Sequence, residues 1–158
     1  MKIERASLYG VEIITPDVYK DDRGYFKETL NQHMRFEPKQ SNQSVSKKGV
    51  IRGLHSQMGA AKLVWVAKGS IYDVAFADGK WVGVELSADN HKQLYIPSHI
   101  YHGFQALEDD TVVCYLMSDY YDSHLEHAYN PLSAGIDWPL AEKIISEKDR
   151  NAYKFLSK

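Results

Sequence analysis

The chain has 158 residues, 44% of them apolar and 25% charged, with a formal net charge of −2 at neutral pH. Lys and Arg are scattered rather than clustered, which excludes the basic footprint of a duplex nucleic-acid or anionic-membrane binder. The lone cysteine excludes an intrachain disulfide, and no run approaches the roughly 20 apolar residues of a membrane-spanning helix. The length fits one domain covering 1–158. The opening "MKIERASLYGVEIIT" places charges too early for a signal peptide, so a cytoplasmic location is expected.

In chain order, "VEIIT" (11–15) reads as a strand, "DDRG" (21–24) as a turn and "NQHMRF" (31–36) as a short helix. The stretch "GVIRGLHSQMGAAK" (49–62) is a strand-like apolar run carrying one histidine. Strands then follow at "AKLVWVAK" (61–68), "SIYDVAFA" (70–77), "KWVGVEL" (80–86), "KQLYIP" (92–97), "HGFQAL" (102–107) and "TVVCYLMS" (111–118), separated by turn residues. Cys114, in the last of these, reads as a buried structural thiol. "LAEKIISEKDRNAYKFL" (140–156) reads as one or two short helices. This spacing predicts a mainly β fold with antiparallel pairing, a jelly-roll barrel with short C-terminal helices.

Jelly-roll barrels include the cupins, whose metal-binding version sets its ligands in G-x5-H-x-H-x4-E followed by P-x-G-x2-H. Here His55 is followed by Gln57 where the second histidine would stand and by Lys62 where the carboxylate would stand; Pro97 and His102 come later. Two imidazoles are too few for a transition metal. A protonated ammonium ~4 Å from a divalent ion costs on the order of 8 kcal/mol at an effective dielectric of ~20. A cupin-type double-stranded β-helix with no metal is therefore expected.

What remains is a set suited to moving protons beside a ketone. His55 serves as base, Asp73 orients it, Lys62 faces the developing oxyanion, and Tyr115 donates from the other side. Strand alternation would put Tyr115, Met117, Asp119 and Tyr121 on one face. By residue type alone, each of the four also reads as ordinary structure: a packed histidine, a loop-bonding aspartate, a core tyrosine, a solvated lysine. His124 and His127 in "HLEH" read as surface residues.

The ordered motifs "DDRGYFKE" (21–28), "NQSVSKKGVIRGLHSQ" (42–57), "KLVWVAKGSIYDVAF" (62–76), "KWVGVELSADNHKQLYIP" (80–97), "HGFQAL", "YLMSDYY" (115–121), "GIDWPL" (135–140) and "SEKD" (146–149) resemble the dTDP-4-dehydrorhamnose 3,5-epimerase family over about residues 8–150. The resemblance implies a metal-independent, cofactor-free cupin, usually a homodimer, that acts on nucleotide-linked 4-keto-6-deoxy sugars in deoxysugar and cell-surface polysaccharide biosynthesis. It implies His55 as base, Asp73 as its partner, Tyr115 as acid and Lys62 beside the sugar, joined there by Arg52, His102 and Tyr121. For the nucleotide and diphosphate it implies Arg23, Phe26, Glu28, Gln40, Asn42, Ser44 and Lys148, with some "RGYFKE" contacts reaching the neighbouring subunit's ligand. Asp149 reads from sequence as part of a capping box with Ser146, while the family's matching aspartate lies near the catalytic centre.

Arg52 and His55 break strand parity, so both face one pocket only if the backbone bends, at Gly53. Ser56 stands where the family usually has an aromatic residue and is expected to widen one pocket wall; Tyr101 replaces a residue that is commonly small. The His55-to-Lys62 loop lacks the usual proline-rich insertion, and "DVAFADGKW" is a shortened hairpin. The alternatives are inversion of carbon 3 alone, isomerisation of the keto group, a non-catalytic sugar-nucleotide-binding cupin, and a metal-dependent oxygenase.

Overall fold

The computed structural model describes residues 1–156. Fourteen strands and one helical turn form the described fold: β1 (Lys2–Arg5), β2 (Glu12–Thr15), β3 (Val18–Asp21), β4 (Gly24–Lys27), β5 (Gln40–Ser46), β6 (Val50–Gln57), β7 (Lys62–Lys68), β8 (Ser70–Ala77), β9 (Lys80–Ser87), β10 (Gln93–Ile96), β11 (Tyr101–Ala106), β12 (Thr111–Met117), β13 (Glu126–Ala128), β14 (Ile144–Ile145) and α1 (Glu147–Arg150). The first sheet runs β1-β2-β10-β7-β12-β5 and the second β13-β6-β11-β8-β9, with β14 parallel to β6; β3 and β4 make a separate hairpin. The result is mainly β and jelly-roll-like, its two sheets facing each other without merging into one closed barrel.

Strand periodicity explains how the sheets meet. In the first sheet the register aligns Asn42, Tyr115, Val64, Leu94 and Ile13 in one row across β5, β12, β7, β10 and β2. Val64 and Leu94 of that row join Ile71, Ala75, Leu86, Phe104 and Val113 in the core between the sheets, with Tyr115 and Ile13 packed against it. β8 shows both faces at once: Ile71 and Ala75 enter that core, while Val74 and Phe76 enter a second cluster beneath Ala134, Trp138 and Phe155 of the C-terminal segment. Period-2 side chains make this division unavoidable.

Several expectations change. Residues 31–36 form no helix; Met34 and Phe36 instead pack on the outer face of the first sheet beside Ile14 and Leu63. Residues 140–156 supply one helical turn and the β14 pairing. Cys114 is partly exposed rather than buried, because it shares the outer row with Gln43 and Trp65. β12 ends at Met117, so Asp119 and Tyr121 do not continue its face; Asp119 is partly exposed and paired with Lys39.

Candidate active site

One cavity of about 440 Å³ opens at the junction of the two sheets, and β5, β6, β7, β11, β12, β14 and α1 contribute to its wall. His55, Lys62, Tyr115, Arg52, His102, Ser44, Lys148 and Asp149 all line it, with Phe104, Ile51, Ile144 and Ile145 as the apolar part. The bend expected at Gly53 is present. Its φ is +131°, and the β6–β11 register slips between the His102↔His55 and Phe104↔Arg52 pairs, which brings Arg52 and His55 to one cavity. A Cβ at Gly53 would lie 2.5 Å from the Cα of Gly103, so only glycine lets the two strands approach this closely.

The partner expected for His55 requires correction. His55 Nε2 lies 2.6 Å from Asp149 Oδ1, whereas Asp73 Oδ1 lies 2.6 Å from His102 Nε2. Strand order supplies the reason: β11 stands between β6 and β8, so Asp73 is two strands from His55, roughly 9–10 Å at the usual spacing, and directly across from Phe104. Asp149 arrives instead from α1, where its N–H donates to Ser146 Oγ at 3.1 Å and its second oxygen accepts from Gly53 N at 3.2 Å. The cap and the histidine contact therefore coexist in one residue. Burial acts to raise Asp149, but the hydrogen bonds and charge of His55, with Gly53 and Ser146, hold it below its ordinary 3.8. An ionised Asp149 fixes the Nε2–H tautomer of neutral His55 and leaves Nδ1 as its basic nitrogen.

Glu126 is the member of the site that sequence reasoning missed. Its Oε1 lies 3.9 Å from His55 Nδ1, and it accepts hydrogen bonds from Tyr121 Oη at 2.6 Å and from Lys148 Nζ at 3.0 Å. Burial acts to raise its carboxyl, but those donors and His55 hold it below 4.5. The only sequence signal was a lone carboxylate within "HLEH", on a three-residue strand too short for visible alternation.

Lys62 donates to the backbone carbonyl of His55 at 3.4 Å, and burial lowers its ammonium from 10.5 to about 8, partly countered by Glu126 and Asp73. Burial also raises Tyr115, with Arg52 opposing and Glu126 reinforcing. Arg52 is held by Ser46 Oγ at 3.0 Å and the Val45 carbonyl at 3.2 Å. Gln40 bonds Asn42 at 2.9 Å and accepts from Tyr121 N at 2.8 Å. Asn42 Nδ2 and Ser44 Oγ are buried without a hydrogen-bond partner among the described residues.

Other expected residues lie elsewhere. Arg23 and Phe26 sit exposed on the β3–β4 hairpin, Arg23 bound to Asp21 at 2.6 Å, and Glu28 accepts from Asn31 at 2.8 Å; none lines the cavity of its own chain. Ser56 is also outside it. The residue is buried on the opposite face of β6, where its side chain meets the Tyr101 hydroxyl beside Tyr129, so it does not widen the pocket wall. Gln57 also lies outside the cavity, two residues beyond His55 on the same strand, donating to the Tyr120 carbonyl and accepting from Asp122 N. Among the described residues no helix is long and apolar enough to cross a membrane.

Comparison with known proteins places this pocket in context. The family model described as dTDP-4-dehydrorhamnose 3,5-epimerase matches residues 5–157. A Methanothermobacter thermautotrophicus dTDP-4-dehydrorhamnose 3,5-epimerase is 41% identical, covering 93% of this chain and 90% of its own. A Streptomyces niveus dTDP-4-dehydrorhamnose 3-epimerase is 33% identical, covering 96% and 83%. The crystal structure of the Legionella pneumophila dTDP-6-deoxy-D-glucose-3,5-epimerase RmlC, in complex with dTDP-4-keto-L-rhamnose, has a TM-score of 0.90 and 36% identity over 97% of this chain and 92% of that one. The two-sheet fold, the ordered motifs and a match along nearly the whole chain agree: this chain belongs to the dTDP-4-dehydrorhamnose 3,5-epimerase family and is an isomerase.

Proposed function

We propose that this protein inverts carbon 5, carbon 3 or both in turn of a dTDP-linked 4-keto-6-deoxyhexose by removing and returning a proton. The observation that carries this reading is the placement of His55 and Tyr115 on the two opposed sheets of one cavity, His55 backed by Asp149. His55 Nδ1 takes the proton made acidic by the neighbouring ketone, and the ionised Asp149 stabilises the imidazolium through Nε2–H, with Glu126 adding attraction. The Lys62 ammonium stabilises the enolate oxygen. Tyr115 then returns a proton to the opposite face of the same carbon, and the centre inverts. His55 then releases its proton to solvent and Tyr115 regains one from it, so the cycle balances without a redox partner.

Ser44, Arg52 and Lys148 on the cavity wall, with Asn42 in register with Tyr115, form the polar end that takes the diphosphate and nucleotide; Asn42 Nδ2 and Ser44 Oγ are buried and have no partner among the described residues. The hairpin residues Arg23 and Phe26 stand away from their own cavity, which supports a homodimer in which each hairpin serves its partner's ligand. The outer face around Trp65 and Cys114, with the exposed Val45, is the face available for that pairing. Incubation with nucleotide-4-keto sugars in deuterated water tests the chemistry: deuterium at carbons 3 and 5 is expected. Label at carbon 3 alone selects the mono-epimerase reading that the Streptomyces niveus relative's name favours, and no label with any substrate overturns the proposal.

A further inference from the structure

The β3–β4 hairpin belongs to neither large sheet. Among the described residues, one side-chain hydrogen bond ties its strands to the rest of the chain, from Lys27 Nζ to His91 Nδ1 at 3.3 Å. The same imidazole meets the Tyr25 ring edge-on, with centroids 4.8 Å apart, and the Lys27 ammonium lies 5.9 Å from the centre of that ring. His91 sits in the loop from β9 to β10, the connection that joins the second sheet to the first. That loop is firmly built. Asn90 Oδ1 accepts from Ser87 N and Lys92 N, Asn90 Nδ2 donates to the Glu85 carbonyl at 2.8 Å, and His91 itself holds a left-handed φ of +58°.

We propose that His91 is a positioning residue for the nucleotide end of the substrate: neutral, it holds the hairpin through Lys27 and Tyr25, and on taking up a proton it lets the hairpin go. This rests on the reading above that Arg23 and Phe26 meet the nucleotide. The chemistry is simple. Lys27 has only N–H groups to give, so the bond requires a lone pair on Nδ1, and a protonated ring would set a cation against a cation. The groups facing His91 are Lys27 and Tyr25 from β4, Lys20 from β3 and Asp89 from its own loop. Burial, then Lys27 and Lys20, favour the neutral ring, and Asp89 opposes them. Hairpin docking is therefore held above the histidine's depressed pKa and lost as the pH falls through it.

The test is binding of dTDP-glucose, whose diphosphate diester keeps its charge across the range, to the intact protein between about pH 7.5 and 5.5. Losing one hydrogen bond is expected to weaken the wild type by about fivefold on acidification, beyond any loss seen in His91→Asn. Asn suits the left-handed backbone, keeps an acceptor oxygen for Lys27 and does not titrate, so that variant lacks the added loss in acid. Lys20→Met removes a repelling charge without touching the bond, and moves the wild-type midpoint to higher pH. Hydrogen exchange at the hairpin amides rises in acid in the wild type and not in His91→Asn. Identical pH profiles for wild type and His91→Asn, with binding intact, overturn this proposal alone. Failure of dTDP-glucose to bind any variant at any pH overturns the nucleotide-sugar reading, and this one with it.

Discussion

His55 and Asp149 are 94 positions apart in sequence and 2.6 Å apart in space, joined because α1 follows the β14 strand that pairs alongside β6. The carboxylate behind His55, the proposed base, is thus held by the C-terminal segment and not by the sheet that carries the histidine. Asp149→Asn is expected to leave the fold in place and lower kcat by about 100- to 10,000-fold, with a smaller effect on KM. Asp73→Asn acts on His102 instead, so its pH profile should differ from that of Asp149→Asn. Steady-state kinetics of both variants decides; equal losses with superimposable profiles would restore Asp73 as the partner of the base.

Lys62 is expected to leave a mark on the alkaline side. Its ammonium loses its proton near pH 8, so kcat/KM falls above that value if the charge supports the enolate. Lys62→Arg, which stays charged, removes that limb while lowering the overall rate. A pH–rate profile with no alkaline fall near 8 in the wild type contradicts the role given to Lys62.

The same lysine costs the fold stability. Between the ordinary 10.5 and about 8, the net cost of burying the charge, after the opposing attraction of Glu126 and Asp73, is about 3 kcal/mol at neutral pH. A lowered lysine pKa favours the neutral form in the native state, so native stability recovers as the pH rises from about 8 towards 10.5. Lys62→Met is therefore expected to unfold at a higher temperature than wild type at pH 7, to lose that advantage in alkali, and to be inactive. A lower Tm at pH 7 counts against it.

Gly53 allows no side chain. With Gly103 Cα 2.5 Å and the His102 carbonyl 2.8 Å from the position of an added Cβ, Gly53→Ala must push β6 from β11 and displace the N–H that Asp149 accepts. Destabilisation of about 1–3 kcal/mol in urea unfolding is expected, together with loss of turnover in the protein that remains folded.

Ser56 separates stability from specificity. Because it faces the Tyr101 and Tyr129 rings on the far side of β6, Ser56→Phe overpacks that cluster and is expected to cost about 1–3 kcal/mol. KM for the nucleotide sugar should not move. A changed substrate preference would mean that the position does reach the pocket.

What sequence reveals and what it hides can be followed at individual residues. β7, β8, β9 and β12 were legible because alternation over seven or eight residues records which face is buried. β1 and β5 are not legible, since β1 is exposed throughout and β5 is polar but for Val45. His55, Lys62, Tyr115 and Asp149 were found and do meet at one cavity. The pairing of His55 was misassigned because strand order is set by long-range topology, which no local spacing encodes. Glu126 stayed hidden because its position depends on a short strand held at the edge of β6.

Tyr115 hangs from one sheet and His55 from the other, and Phe104, Ile71, Val64 and Val113 fill the space between those sheets. The apolar core is thus a spacer whose thickness sets the gap between these two side chains, across which the proposed reaction gives up a proton on one side and returns it on the other. A methylene removed there, far from any titrating group, changes the reach of the acid relative to the base, so packing alone can tune the rate of inversion and which carbon is served.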